Sequence, residues 1–79
     1  MDINKRYMEG ISSKINLTAM EEEIIKLMAQ EYNSKAIALK LKLSYKQVTG
    51  MRERLLIKTK SINGIGIVIF GIKKGIIKI

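Results

Sequence analysis

Residues 34–58, SKAIALKLKLSYKQVTGMRERLLIK, decide the fold because their apolar residues recur at helical spacing in two separate groups. Ile37 and Leu41 are four residues apart and share one helix face. A second helix face carries Val48, Met51 and Leu55. Between the two helices, Lys42-Leu43-Ser44 is too short for anything but a turn. The stretch therefore predicts two short helices that cross at a steep angle, with the small Ala38 where their backbones approach each other.

The second of these helices has a clear start. The Ser44 hydroxyl is suited to accept from backbone N–H groups two or three residues further on, and Gln47 completes a capping-box pattern. Two helices joined in this way form the arrangement of a DNA-binding helix-turn-helix, with residues 44–58 as the recognition helix. A plain helical hairpin shares most of the apolar spacing and stays the alternative.

The basic charge is concentrated in the same half of the chain. The net charge is +8, but residues 32–79 hold eleven of the fifteen basic residues and one of the seven acidic ones, a net charge of +10. Basic charge gathered around a predicted recognition helix favours a polyanion as the partner. A solvated basic surface with no such partner is the other interpretation.

Composition excludes several classes of function. The 79 residues predict a single domain, and the absence of cysteine and histidine removes disulfides, thiol nucleophiles and the usual zinc sites. No pairing of nucleophile and base is evident, so we expect no enzymatic activity, no cofactor and no metal. No apolar run is long enough to span a membrane, and the first residues do not form a signal peptide, so we expect a cytoplasmic protein.

The chain outside residues 34–58 is predicted to be helical as well. Residues 1–16 read as a linker or N-terminal arm, and residues 17–79 as the domain. Thr18 and Glu21 form a capping box that begins the first helix, and three consecutive glutamates complement its dipole. Its expected buried stripe is Met20, Ile24, Leu27 and Met28. We expect Ser34 to cap the next helix.

Residues 65–72 are ambiguous by composition. Their β-branched side chains and glycines favour a strand, but a lone strand would have nothing to pair with. We therefore predict a helix that follows a turn or cap at residues 61–64 and ends near Gly75. On this helix Val68 and Ile72 are expected to face the core.

Residues across most of the chain together resemble the LuxR/GerE-type helix-turn-helix domain, which is also the output domain of NarL-type response regulators. The matching positions are Leu17-Thr18, Glu21, Glu23-Ile24-Ile25, Leu27, Ala29, Ser34-Lys35-Ala36-Ile37-Ala38, Leu41, Leu43-Ser44, Val48, Arg54 and Lys58. The resemblance implies an all-α domain of four helices, sequence-specific binding to double-stranded DNA as a homodimer, and transcriptional control. It also implies either a free-standing regulator or the output domain of a longer protein with an N-terminal receiver domain. The chain departs from the family pattern at Ala36, Lys42, Thr49 and Thr59, where the family often has an acidic residue, a glycine or small residue, a basic residue and a leucine.

The expected DNA contacts lie on the outer face of the recognition helix and at the starts of both helices. They are Ser34, Lys35, Ser44, Tyr45, Lys46, Gln47, Thr49, Gly50, Glu53, Arg54 and Lys58. Gly50 either allows a close approach to DNA or is a tolerated surface glycine. Glu53 either accepts from a cytosine amino group or is an ordinary solvated residue.

Dimerisation is expected through the last helix. Ile65 and Ile69 are four residues apart on one face, and the family often has polar residues at both positions. Exposed isoleucines there would mark an interface. Competing functions are a sigma-factor-type region, a helical protein-interaction module whose basic face meets an acidic partner, and a peptide that binds a membrane surface through residues 65–79.

Overall fold

Polar capping residues set the boundaries of the helices in the computed structural model, which describes residues 16–78. Within these residues there are four helices and no strand: α1 Ala19–Ala29, α2 Ser34–Leu41, α3 Tyr45–Lys58 and α4 Gly64–Lys73. The all-α prediction is confirmed, and so is the helix predicted over residues 65–72. The predicted linker or arm at residues 1–16 lies outside the described residues, except for Asn16.

The start of α1 is the predicted capping box. The backbone N–H of Glu21 donates to Thr18 Oγ1 at 3.1 Å, and the backbone N–H of Thr18 donates to Glu21 Oε1 at 2.9 Å. Each residue satisfies a donor that the first turn of a helix leaves without a partner. Helix α1 therefore begins at a fixed point, with its acidic first turn at the positive end of the helix dipole.

The prediction that Ser34 caps α2 is wrong by one residue. Asn33 is the N-cap, with an extended backbone and a side-chain Oδ1 that accepts from the N–H of Ala36 at 2.9 Å. Asparagine is as effective an N-cap as serine, so α2 keeps a strong cap although it begins one residue earlier. The Ser34 side chain instead accepts a hydrogen bond from Arg52 on α3.

The turn between α2 and α3 consists of three residues, as predicted. Lys42 ends α2 in the left-handed conformation, with φ 58° and ψ 43°. The N–H of Leu43 then donates to the carbonyl of Ala38 at 2.9 Å, which closes the end of α2. The chain then enters α3 at its own N-cap, Ser44.

The core lies where α1 packs against the other three helices. Its buried apolar residues are Ile24, Ile25, Leu27, Met28, Ile37, Ala38, Val48, Leu55 and Ile67. Ala38 is buried as the helix crossing requires. The predicted α1 stripe is partly wrong, because Met20 is 38% exposed and Ile25 is fully buried. Helix α1 is covered from two sides, by α4 as well as by α2 and α3, so its buried face is wider than a single stripe.

The face that α4 presents to the core also differs from the prediction. Val68 is partly buried and packs against the core as predicted, but Ile72 is 41% exposed, and the buried residues of α4 are Ile67 and Gly71. A Cβ added at Gly71 would lie 2.6 Å from Cγ2 of Ile25, so only a glycine lets α4 approach α1 this closely. This close approach orients Ile67, one turn earlier, into the core.

None of the helices between residues 16 and 78 has the length and apolarity that a membrane crossing needs.

Candidate nucleic-acid interface

Helix α3 has one face in the core and one face in solvent. Val48 and Leu55 are fully buried, and Arg52 beside them is partly buried. On the opposite side, as the helical angle of 100° per residue predicts, Glu53 and Ile57 are exposed. No other helix of the described chain covers this outer face, so it is available to an external partner.

The first turn of α3 is held by a reciprocal pair of hydrogen bonds. The N–H of Gln47 donates to Ser44 Oγ at 3.0 Å, and the N–H of Ser44 donates to Gln47 Oε1 at 2.8 Å. Both side chains are predicted DNA contacts, and both are exposed at the helix start. Their hydrogen bonds to each other's backbone fix the point at which α3 begins. The neighbouring Tyr45 is 56% exposed.

In the middle of the outer face, the side chains are short or absent. The Thr49 hydroxyl donates to the carbonyl of Lys46 at 3.0 Å, which holds the side chain against the helix backbone. A Cβ added at Gly50 would meet nothing within 4 Å. No contact within residues 16–78 therefore requires the glycine, and a surface that approaches the helix there would meet backbone without a side chain.

Arg52 links α2 to α3, a role that was not predicted from the sequence. Its Nη1 donates to Ser34 Oγ at 3.1 Å, across the three-residue turn. The same guanidinium lies at the start of α4, because a Cβ added at Gly64 would be 3.1 Å from Nη2. The inward helical angle of Arg52 was the available signal, since a charged residue on an inner face needs a polar partner. Lys35, the next predicted contact on α2, is exposed.

Lys58 lies in an ion pair rather than free in solvent. Its Nζ donates to both carboxylate oxygens of Glu21 at 2.9 Å and to the backbone carbonyl of Asn16 at 3.3 Å. Glu21 is only 4% exposed. Burial by itself would raise the pKa of Glu21, but the N–H of Thr18 and the ammonium of Lys58 stabilise the ionised form. The pKa of Glu21 accordingly lies below the ordinary value of 4.5.

The exposed cations of α2, the turn and α3 make no salt bridge with another residue between 16 and 78. Within residues 16–78 the salt bridges are Lys26 with Glu23 and Lys58 with Glu21. Outside them stand five exposed cations of this region: Lys35, Lys40, Lys42, Lys46 and Arg54. Each of these charges lies on α2, on α3 or in the turn that joins them, and an anionic partner would reduce the repulsion among them.

Helix α4 exposes the two isoleucines expected at a dimer interface. Ile65 is 70% exposed and Ile69 is 46% exposed. They border an open cleft of about 500 Å³ between α1, α3 and α4, which is lined mainly by apolar side chains and by Arg52. This surface belongs to a different helix from the outer face of α3.

Comparison with known proteins gave no match: no family model, no curated protein and no solved structure was found to be similar to the chain. Support for a function therefore comes from the residues and from the geometry of α2, α3 and α4.

Proposed function

We propose that the chain is a sequence-specific DNA-binding domain of a bacterial transcriptional regulator, of the LuxR/GerE helix-turn-helix type. In this proposal α3 enters the major groove and α2 lies across the DNA backbone. The observation that carries it is the division of α3 between an inner face, on which Val48 and Leu55 are fully buried, and an outer face, on which Glu53 and Ile57 are exposed. The cations around that face fit the phosphates of the duplex.

Each part of the proposal has its own support. The Ser44–Gln47 capping box and the Arg52–Ser34 hydrogen bond hold α3 in a fixed orientation, which a groove-reading helix needs. Thr49, Gly50 and Glu53 lie on or beside the outer face, where base edges would be met. Glu53 would accept from a cytosine amino group, a contact that specifies a base by about 1–3 kcal/mol.

Homodimerisation is part of the same proposal. Ile65 and Ile69 would pair with their copies in a two-fold symmetric contact. Such a dimer would place two α3 helices about one turn of DNA apart, roughly 34 Å, on a palindromic site. The proposed regulator acts either alone or as the output part of a longer protein with a receiver domain.

A salt titration of binding tests the DNA proposal. Fluorescence anisotropy of a labelled duplex should show an affinity that falls steeply with salt, since each neutralised phosphate adds roughly 0.9 to the slope of log K against log salt. The Lys46→Ala variant should lose about one such contact on all sequences. Lys26→Ala is the matched control, because it removes the same charge from α1, where Lys26 is 3.5 Å from Glu23. Undetectable binding to duplex DNA at low salt would overturn the proposal.

The exposed cations Lys35, Lys40 and Lys42 also favour a second candidate, a helical protein-interaction module whose basic face meets an acidic protein. The two functions separate in the same titration. A protein-interaction module would bind duplex DNA weakly and without preference for any selected sequence.

A further inference from the structure

A stripe of four residues runs along the centre of the outer face of α3. Lys46, Gly50, Glu53 and Ile57 follow one another at intervals of four, three and four residues, so they lie on one line along the helix. Gly50 contributes no side chain, and the two residues that follow it on the stripe have unlike chemistry. One is a carboxylate and the other is a branched hydrocarbon.

Ile57 is the apolar side chain of this stripe, and nothing in the described chain covers it. It is 77% exposed, the highest exposure of any large apolar residue on α3, while Val48 and Leu55 on the other side are fully buried. The core therefore does not use Ile57. An exposed β-branched residue also has no helix-propensity advantage over the alanine or lysine that commonly fill such positions. Ile57 lies at the C-terminal end of the stripe, and a partner that approaches the outer face there could bury it in an apolar contact.

Glu53 indicates what part of the partner the stripe approaches. The residues three and four positions away on either side, Thr49, Gly50, Leu56 and Ile57, carry no charge, and Glu53 makes no ion pair within residues 16–78. An unneutralised carboxylate is repelled by phosphates but is attracted by the amino groups on base edges. The C-terminal half of the stripe is thus suited to base edges rather than to the DNA backbone.

On the major-groove edge of base pairs, the C5 methyl group of thymine is the apolar feature. We propose that Ile57 reads a thymine by packing against this methyl group, one turn further along α3 than Glu53. The proposal rests on the proposed DNA-binding function and deepens it. Four residues of helix rise correspond to about 6 Å, or roughly two base-pair steps of about 3.4 Å. The thymine should therefore lie within about two base pairs of the base that Glu53 contacts.

The experiment replaces the thymine methyl group by hydrogen and leaves the rest of the duplex unchanged. The binding site is first selected from random duplexes with the unmodified protein, and again with Glu53→Gln, which locates the base that Glu53 contacts. Deoxyuridine is then substituted for each thymine of the selected site in turn, at one fixed salt concentration. For one thymine near that base, we expect the affinity of the unmodified protein to fall roughly four-fold, the effect of losing one buried apolar carbon.

The Ile57→Ala variant decides whether Ile57 makes that contact. It should bind the thymine and deoxyuridine duplexes equally well, because the methyl group has lost its partner. Ile62→Ala is the matched control, since Ile62 is 96% exposed in the connection between α3 and α4 and lies outside the stripe. This control should keep the four-fold preference for thymine. Ile57 is exposed, so its variant should unfold at the same urea concentration as the unmodified protein or a higher one.

The two possible failures differ in their readout. If a site is selected but no deoxyuridine substitution lowers affinity, or if Ile57→Ala keeps the preference, Ile57 does not read thymine and only the present inference is overturned. If no site is selected and duplex binding is absent at low salt, the proposed function itself is wrong, and the inference fails with it.

Discussion

The Nζ atom of Lys58 lies 2.9 Å from each carboxylate oxygen of Glu21, and this ion pair joins the end of α3 to the first turn of α1. The two residues are 37 positions apart in the chain. Glu21 is almost fully buried, while about a third of the Lys58 side chain is exposed. The pair is therefore a fixed link between the helix that we propose enters DNA and the helix at the centre of the core.

Removing either partner should destabilise the fold. We expect Lys58→Met and Glu21→Gln each to lower the free energy of unfolding by about 1–3 kcal/mol, because each leaves the other group without its main partner. The double variant should lose less than the sum of the two single losses. Urea unfolding followed by circular dichroism measures all three. Strict additivity would show that the two groups do not interact in solution.

This ion pair also changes how the predicted DNA contact of Lys58 has to be tested. Part of any loss of DNA affinity in Lys58→Ala would come from a weakened fold. The DNA affinity of that variant should therefore be measured under conditions in which the variant is fully folded. Lys46, which is exposed and makes no salt bridge within residues 16–78, does not have this difficulty.

The stability of the fold should depend on pH through the carboxylate of Glu21. The pKa of Glu21 is lower in the folded protein than its ordinary value of 4.5, so the unfolded chain binds a proton at a higher pH than the folded one does. The stabilisation is fully present above pH 4.5 and is lost as the pH falls through the lowered pKa. Urea midpoints measured between pH 7 and pH 3 should decline less steeply below pH 5 for Glu21→Gln than for the unmodified protein. Parallel curves would contradict the lowered pKa.

Local signals in the sequence predicted local structure well. The capping boxes at Thr18 and Ser44 depend on residues three positions apart, and both are present as predicted. The inner and outer faces of α3 follow from its polar and apolar residues, which alternate with the period of a helix. The helical state of residues 65–72 followed from the lack of any strand to pair with.

Contacts between residues far apart in the chain could not be predicted from the sequence. Helix α4 is apolar on nearly every side, so its periodicity does not distinguish Ile67 from Val68 or Ile72 as the core residue. The close approach of Gly71 to Ile25 decides it, and that contact joins residues 46 positions apart. The Glu21–Lys58 pair is another such contact, since three adjacent glutamates gave no sign of which one would find a cation.

Lys42 offers a direct test of the turn between α2 and α3. It has a φ of 58°, which a side chain with a Cβ adopts at some cost and a glycine adopts freely. We expect Lys42→Gly to raise the free energy of unfolding by up to about 1 kcal/mol. Lys40→Gly is the matched control, because it removes the same charge within α2 and should lower stability by a similar amount. Equal effects of the two substitutions would contradict a left-handed Lys42.

Gly50 should separate stability from binding. A Cβ at this position meets nothing within 4 Å, so Gly50→Ala should stabilise the protein by about 1 kcal/mol through helix propensity. The same methyl group would stand between the helix backbone and a bound DNA surface, and we expect weaker binding of the selected duplex. Urea unfolding and anisotropy on the same two proteins give both quantities. Unchanged affinity in the more stable variant would identify Gly50 as a tolerated surface glycine.

The last prediction concerns the exposed face of α4. Ile65 and Ile69 are 70% and 46% exposed, so a lysine at position 69 can extend into solvent and should leave the fold intact. If these isoleucines pair with their copies, Ile69→Lys places two like charges in the two-fold contact and shifts the protein to a monomer. Binding to a palindromic site should weaken, because the two half-sites are no longer held by one molecule. Sedimentation of both proteins at matched concentrations, alone and with DNA, measures the change. An unmodified protein that stays monomeric at high concentration and on DNA would refute the dimer. The two isoleucines would then be expected to contact a different protein.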